Sequence, residues 1–140
     1  MIYLGLDLGS KTLGLSISDK TCTIASPLEV IRYNDENELF ERLDYIVNSR
    51  NVDAFVLGNP KNLDGSLSKR SEISLEFKNK LIERYNKEVI MQDERLSTVE
   101  AERMLISNGT RRKNRKKVID KLASTIILES FLNRRNNERQ

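Results

Sequence analysis

The sequence predicts an α/β protein built on a mixed five-stranded sheet with helices on both faces, and three observations lead there. The residues up to Arg32 hold three short runs rich in apolar and β-branched residues, with turn signals between them. From Glu36 onward, apolar stripes at three- and four-residue spacing alternate with short apolar runs, the periods of helix and strand in turn. Strand–helix alternation demands parallel pairing, with the helices covering the sheet.

Ile2 to Leu8 and Thr12 to Ser18, separated by Gly9, Ser10 and Lys11, read as a β-hairpin. Ile24 to Arg32 extends this into an antiparallel meander, and Pro27 assigns that third strand to a sheet edge, where a missing N–H is tolerated. From Glu36 to Ser49, residues Leu39, Phe40, Leu43, Ile46 and Val47 form one helical stripe. Asp53 to Gly58 is a short apolar strand ended by Asn59 and Pro60. Ser71 to Asn86 is a helix whose expected inward face is Ile73, Leu75, Phe77, Leu81, Ile82 and Tyr85. Val89 to Gln92 is the fifth strand. Ser97 to Ser107 reads as a helix opened by a capping box, Ser97 with Glu100, and closed by Asn108 and Gly109. The last helix runs from about Lys116 to Asn133, with Val118, Leu122, Thr125, Ile126, Leu128 and Leu132 inward.

At 140 residues the chain fits one domain, residues 1–140. No stretch reaches the roughly 18 apolar residues of a membrane span. No secretory signal pattern is visible, so the expected address is the cytoplasm. Cys22 is the sole cysteine and histidine is absent, which excludes an intramolecular disulfide, a Cys/His zinc site and every histidine-based nucleophile system. Any metal is therefore held by oxygen, which favours Mg²⁺ or Mn²⁺.

Charge is unevenly distributed. Residues 1–110 carry 14 Lys/Arg against 18 Asp/Glu, whereas residues 111–140 carry 10 against 3. The densest positive run is Arg111, Arg112, Lys113, Arg115, Lys116 and Lys117, where like charges repel unless a polyanion neutralises them. Nucleic acid is the natural partner, and a solvated charged loop is the plain alternative.

Four acids sit at the ends of predicted elements. Asp7 lies near the end of the first strand between Leu6 and Leu8, where an unpaired carboxylate is costly. Asp93 and Glu94 follow the fifth strand, and Asp120 lies in the closing helix. If strands one, four and five are neighbours, three of these acids can converge, and a divalent cation resolves their mutual repulsion. Two such ions about 3.5 to 4 Å apart clamp the attacking water and leaving oxygen of a phosphodiester. The catalytic candidates are Asp7, Asp93, Glu94 and Asp120. Beside Asp7, Ser10 and Lys11 offer donors to a phosphate backbone, and Arg95 can grip a phosphate bidentately or pair internally.

The segments "GLDLGSKTLGLSISD", "VLGNPKNLDGS", "DERLSTVEAERML" and "KKVIDKLASTIILESFL" together resemble the YqgF/RuvX family over almost the whole chain. That family comprises RNase H-like proteins described as Holliday-junction resolvases and as pre-16S rRNA nucleases. The resemblance implies an RNase H-like fold, metal-dependent phosphodiester hydrolysis and maturation of the 5′ end of the 16S rRNA precursor. It carries catalytic roles onto Asp7, Asp93, Glu94 and Asp120, and metal-ligand roles onto Asp7, Asp120 and one acid of the Asp93–Glu94 pair, with Asp93, the first residue after the strand, as the expected one. Where RNase H-like enzymes commonly place an acid after the fourth strand, this chain has Gly58, Asn59 and Pro60, so the acid of "DER" takes its place. Ser124 stands where the family pattern has alanine.

Three other readings compete with a pre-rRNA nuclease. A glycine-bearing hairpin with an aspartate also suits sugar-kinase-like ATP binding, but 140 residues do not supply the second domain of that architecture. A Holliday junction resolvase needs a dimer on branched DNA. A non-catalytic RNA-binding module of ribosome assembly, acting on a ribosomal precursor particle, would use the basic tail alone. The expected assembly is a monomer or weak homodimer.

Overall fold

The computed structural model describes residues 1–59, 69–93 and 112–138. Five strands alternate with helices in the order β1 (Tyr3–Leu8), β2 (Thr12–Ser18), β3 (Ala25–Arg32), α1 (Glu36–Ser49), β4 (Ala54–Asn59), α2 (Lys69–Tyr85), β5 (Glu88–Asp93) and α3 (Arg112–Glu138). The sheet order is β3-β2-β1-β4-β5. β1–β2 and β2–β3 are antiparallel, and β1–β4 and β4–β5 are parallel, so strands one, four and five are neighbours. Pro27 lies on the edge strand, opposite Ser16, where the β2–β3 register shifts.

The pleat divides side chains between two layers. Leu4, Leu6, Leu13, Leu15, Phe55 and Leu57 pack with α1 and α2 in the larger core. Tyr3, Val56, Ile127, Leu128 and Phe131 form the smaller core beneath α3, with the Tyr3 and Phe131 rings edge to face. The stripe predicted for α1 is buried throughout, and Asp35 caps that helix by accepting from the Glu38 N–H at 3.0 Å. A side-chain acceptor satisfies one of the donors that a helix start leaves open.

One boundary and one helix face differ from expectation. α3 begins at Arg112, so Arg112 to Lys117 occupy its first turns instead of a preceding loop. α2 buries Ser71, Ser74, Phe77 and Leu81, while Ile73, Leu75 and Ile82 are exposed. The small serines allow close approach, and their spacing to Phe77 and Leu81 defines a face that turns Ile73 outward. The helix expected over 97–107, with its capping box, lies outside the described residues.

α1 and α2 are tied by Asp44, which accepts from Arg84 at 2.8 and 2.6 Å and from the Tyr85 hydroxyl at 2.6 Å. Lys80 pairs with Glu36 along the same seam. The Arg84 guanidinium holds the Asp44 carboxyl below the usual carboxylate range, with help from Tyr85. A depressed folded-state pKa stabilises the fold above the unfolded value near ~3.9 and loses that contribution as pH falls. Because Asp44 and Arg84 are partly exposed, Asp44→Asn should cost only about 0.5 to 1 kcal/mol at pH 7. Urea midpoints of wild type and Asp44→Asn should differ at pH 7 and converge towards pH ~3.

Candidate metal and nucleic-acid site

Asp7 lies near the carboxyl end of β1, partly buried and paired across the ladder with Gly14. Tyr3 packs beneath α3, and an alanine-like Cβ at Gly5 would meet Leu128 and Ser124 of α3, so Asp7 shares the α3 face by alternation. Leu4 and Leu6 occupy the other face.

Side chains of β4 and β5 alternate in the same way. Val56 and Ile90 pack under α3, which gives Gly58 and Gln92 that face, and these two are direct partners in the β4–β5 ladder. Asp7, Gly58 and Gln92 therefore lie on one face at the carboxyl ends of three adjacent parallel strands. Gly58 leaves the floor between the outer two clear of side chain. Position 93 closes the ladder opposite Asn59 and has the parity of Val89 and Met91, which pack on the α1/α2 side.

Asp120 enters through the seat of α3. Phe131 meets Tyr3 at the start of β1, whereas Ser124 and Leu128 lie against Gly5, so the helix runs opposite to the strand. The Ser16 hydroxyl donates to the Ser124 carbonyl at 2.7 Å and fixes this register. From Ser124 back to Asp120 the helix advances ~6 Å, and from Gly5 to Asp7 the strand advances ~6.6 Å. The backbone of Asp120 is thus carried one turn onward, towards the end of β1 that holds Asp7.

A Cβ at Gly5 would sit 2.2 Å from Ser16 Oγ, 2.8 Å from Leu128 Cβ and 2.9 Å from the Ser124 carbonyl. Glycine is required here because α3 occupies the space. Gly9 serves the β1–β2 turn instead: its N–H donates to the Thr12 carbonyl at 2.8 Å, and a Cβ would lie 2.5 Å from Thr12 Oγ1. Gly14 is buried within the sheet.

The donor chemistry at this end fits a hard divalent cation. Gln92 Oε1 is buried without a hydrogen-bond partner, an acceptor left open on the face it shares with Asp7. A cation or its hydration shell satisfies such an oxygen, whose isolation otherwise costs about 1 to 3 kcal/mol. Cys22, the one thiol, is buried at the opposite end of β1 with its Sγ–H directed to the Met1 carbonyl. No group of three metal-ligating acids occurs among the described residues. The strand-end position of Asp93 and the helical position of Asp120 are described in backbone only, and Glu94 lies outside the described residues.

Of the proposed nucleic-acid contacts, Ser10 and Lys11 are exposed in the turn next to Asp7. Arg112, Lys113, Arg115, Lys116 and Lys117 line the first turns of α3, which carry no acidic residue in the opening turn. Cations at a helix N-terminus oppose the helix dipole, a strain that an anion relieves. Arg95 and Arg111 lie outside the described residues. Sequence reasoning missed Gln92, Gly5 and Ser16, since only strand pairing and helix docking give them a role.

A mixed sheet ordered β3-β2-β1-β4-β5, flanked by helices on both faces and with acids at the carboxyl ends of its parallel strands, defines an RNase H-like protein. Two structures of Thermus thermophilus RuvC share this fold. One covers 98% of this chain and 97% of its own, with TM-score 0.55 and 15% identity. The other, in complex with Holliday junction substrate, covers 91% and 92% with TM-score 0.54 and 14% identity. The chain belongs to the RuvX family, whose model, described as Holliday junction resolvase, matches residues 1–134. A Bacillus cereus (strain B4264) protein named "Putative pre-16S rRNA nuclease" is 46% identical over 137 residues, covering 96% of this chain and 100% of the relative. A Geobacillus thermodenitrificans protein of the same name is 48% identical over 134 residues, covering 94% and 97%. No described helix is long and apolar enough to cross a membrane.

Gly5→Ala should destabilise the protein by about 1 to 3 kcal/mol, the usual cost of overpacking, and lower its activity by displacing α3. Ser124→Ala should be neutral or stabilising by up to ~1 kcal/mol, because the Ser124 Oγ is buried and unpartnered. Chemical denaturation of both variants checks the pair, and an equal loss would contradict the close seat.

Proposed function

We propose that this chain is a divalent-cation-dependent endonuclease that hydrolyses phosphodiesters in structured nucleic acid, with the 5′ end of the 16S rRNA precursor as its substrate. The carrying observation is the register that directs the Asp120 turn of α3 towards Asp7, at the same sheet end as the last residue of β5. The names of the 46% and 48% identical relatives support the RNA assignment.

Asp7, Asp120 and one acid of the Asp93–Glu94 pair would hold Mg²⁺ or Mn²⁺. When bound, such ions supply the positive charge that offsets charge developing on the phosphoryl oxygens. Asp7 and its partners fix the scissile phosphate at the strand ends. Ser10, Lys11, Arg95 and the basic residues at 111, 112, 113, 115, 116 and 117 hold flanking phosphates, contacts that set register without reading sequence. Cytoplasmic action on a ribosomal precursor particle is part of this reading.

The family description favours a second reading, resolution of a four-way DNA junction, which needs two copies placed on one substrate. Parallel digestion of a synthetic junction and an rRNA-precursor fragment, in Mg²⁺ and in Mn²⁺, separates the two. Asp7→Asn should lower cleavage at least ~100-fold while substrate binding persists, a larger loss than removal of a group that merely orients a ligand. Equal cutting by mutant and wild type would sink the metal-site assignment. Asp93→Asn and Glu94→Gln, assayed side by side, identify which acid is the ligand. Lys116→Ala combined with Lys117→Ala should weaken binding and flatten its logarithmic salt dependence by about 0.7 to 0.9 for each phosphate that is no longer neutralised.

A further inference from the structure

The face of β1 opposite Asp7 opens onto a cavity of about 730 Å³ between the β1–β2 turn, α1 and α2. Its wall includes Leu8, the residue after Asp7, and its rim includes Gly9 and Ser10. Asp7 and Leu8 are consecutive strand residues that face opposite sides of the sheet, so the acidic strand end and the cavity wall meet across the sheet edge.

The lining suits a flat, amphipathic ligand. Tyr33 presents a partly buried aromatic ring, and its backbone N–H donates to the Lys11 carbonyl at 3.1 Å, which fixes it to the β1–β2 turn. Ile73 extends from α2 and is 54% exposed, although the helical pattern counts it among the core residues. Ser74 adds a hydroxyl on a nearly buried residue, and the paired Glu36 and Lys80 bring an acceptor and a donor to the lining. An apolar slot with a few convergent polar groups is the usual form of a small-ligand pocket, and this volume falls within the ~300 to 1,000 Å³ range. Unpaired bases are recognised in the same way, by stacking on an aromatic ring with their edges hydrogen-bonded.

We propose that this cavity receives one unpaired nucleobase of the substrate strand, next to the phosphate held at Asp7, and so restricts cutting to unstacked nucleotides. The proposal rests on the nuclease reading of the Asp7 site and adds a specificity element to it. Tyr33 is the stacking platform, Ile73 closes the apolar side, and Ser74 with the Glu36–Lys80 pair meets the base edge.

Binding, kept separate from cutting, tests it. A short single-stranded RNA with one 2-aminopurine, moved position by position, is titrated with the full-length protein with Ca²⁺ replacing Mg²⁺. Fluorescence reports the stacking of that base and anisotropy reports affinity. One position should change severalfold in fluorescence on binding. Tyr33→Ala and Ile73→Glu should each abolish that response and weaken affinity roughly 5- to 150-fold, the range for losing one stacked base. Ile73 is exposed, so its variant should keep the wild-type fold by circular dichroism. A response at no position, or one that survives both substitutions, overturns the proposal, as does an RNA that does not bind. A localised response from a protein that never cleaves RNA in Mg²⁺ would instead retain the base pocket and overturn the nuclease reading.

Discussion

The close seat of α3 on β1 and β2 is the contact on which the functional arrangement depends. It exists because residue 5 has no side chain and because the Ser16 hydroxyl reaches the Ser124 carbonyl at 2.7 Å. A buried hydrogen bond between residues 108 positions apart fixes helix and strand in one register. The apolar contacts of Leu128 and Phe131 provide adhesion but tolerate sliding, whereas a hydrogen bond with no space around it does not.

The two layers of the molecule then divide the work. The larger core, with Leu39, Leu43, Phe55, Leu57 and Leu81 fully buried, anchors the sheet to α1 and α2. On the α3 side, Gln92, Ser124 and Thr125 each have a buried polar side-chain atom without a partner among the described residues. Buried unpaired polar groups reduce stability, and in natural proteins they concentrate where a ligand completes the site. Gln92 is the one of these whose place is set by the strand ends. Ser124 lies at the helix seat, and its hydroxyl has no hydrogen-bond partner there.

Much of the molecule was legible because its signals are local. The Leu39, Phe40, Leu43, Ile46 and Val47 stripe defines α1, and Pro27 marks the edge strand, since each depends on a few neighbouring residues. Asp7 also stood out locally as a carboxylate amid leucines. α2 was read less well: Ile73 and Ile82 look like core by composition, yet Ser71 and Ser74 face inward. Hydropathy does not distinguish a serine that permits close packing from one that faces water.

The sequence by itself determined the order and type of the described elements, the exclusion of a Cys/His metal site and the concentration of positive charge near α3. Those properties belong to residue identity and to periods of two and 3.6 along the chain. Only the tertiary structure decided that Gln92 shares the face of Asp7, that position 93 has the opposite parity, and that α3 meets β1 at Gly5. These are relations between segments far apart in the chain, and the pairing of strands and the docking of a helix set them, not any local pattern.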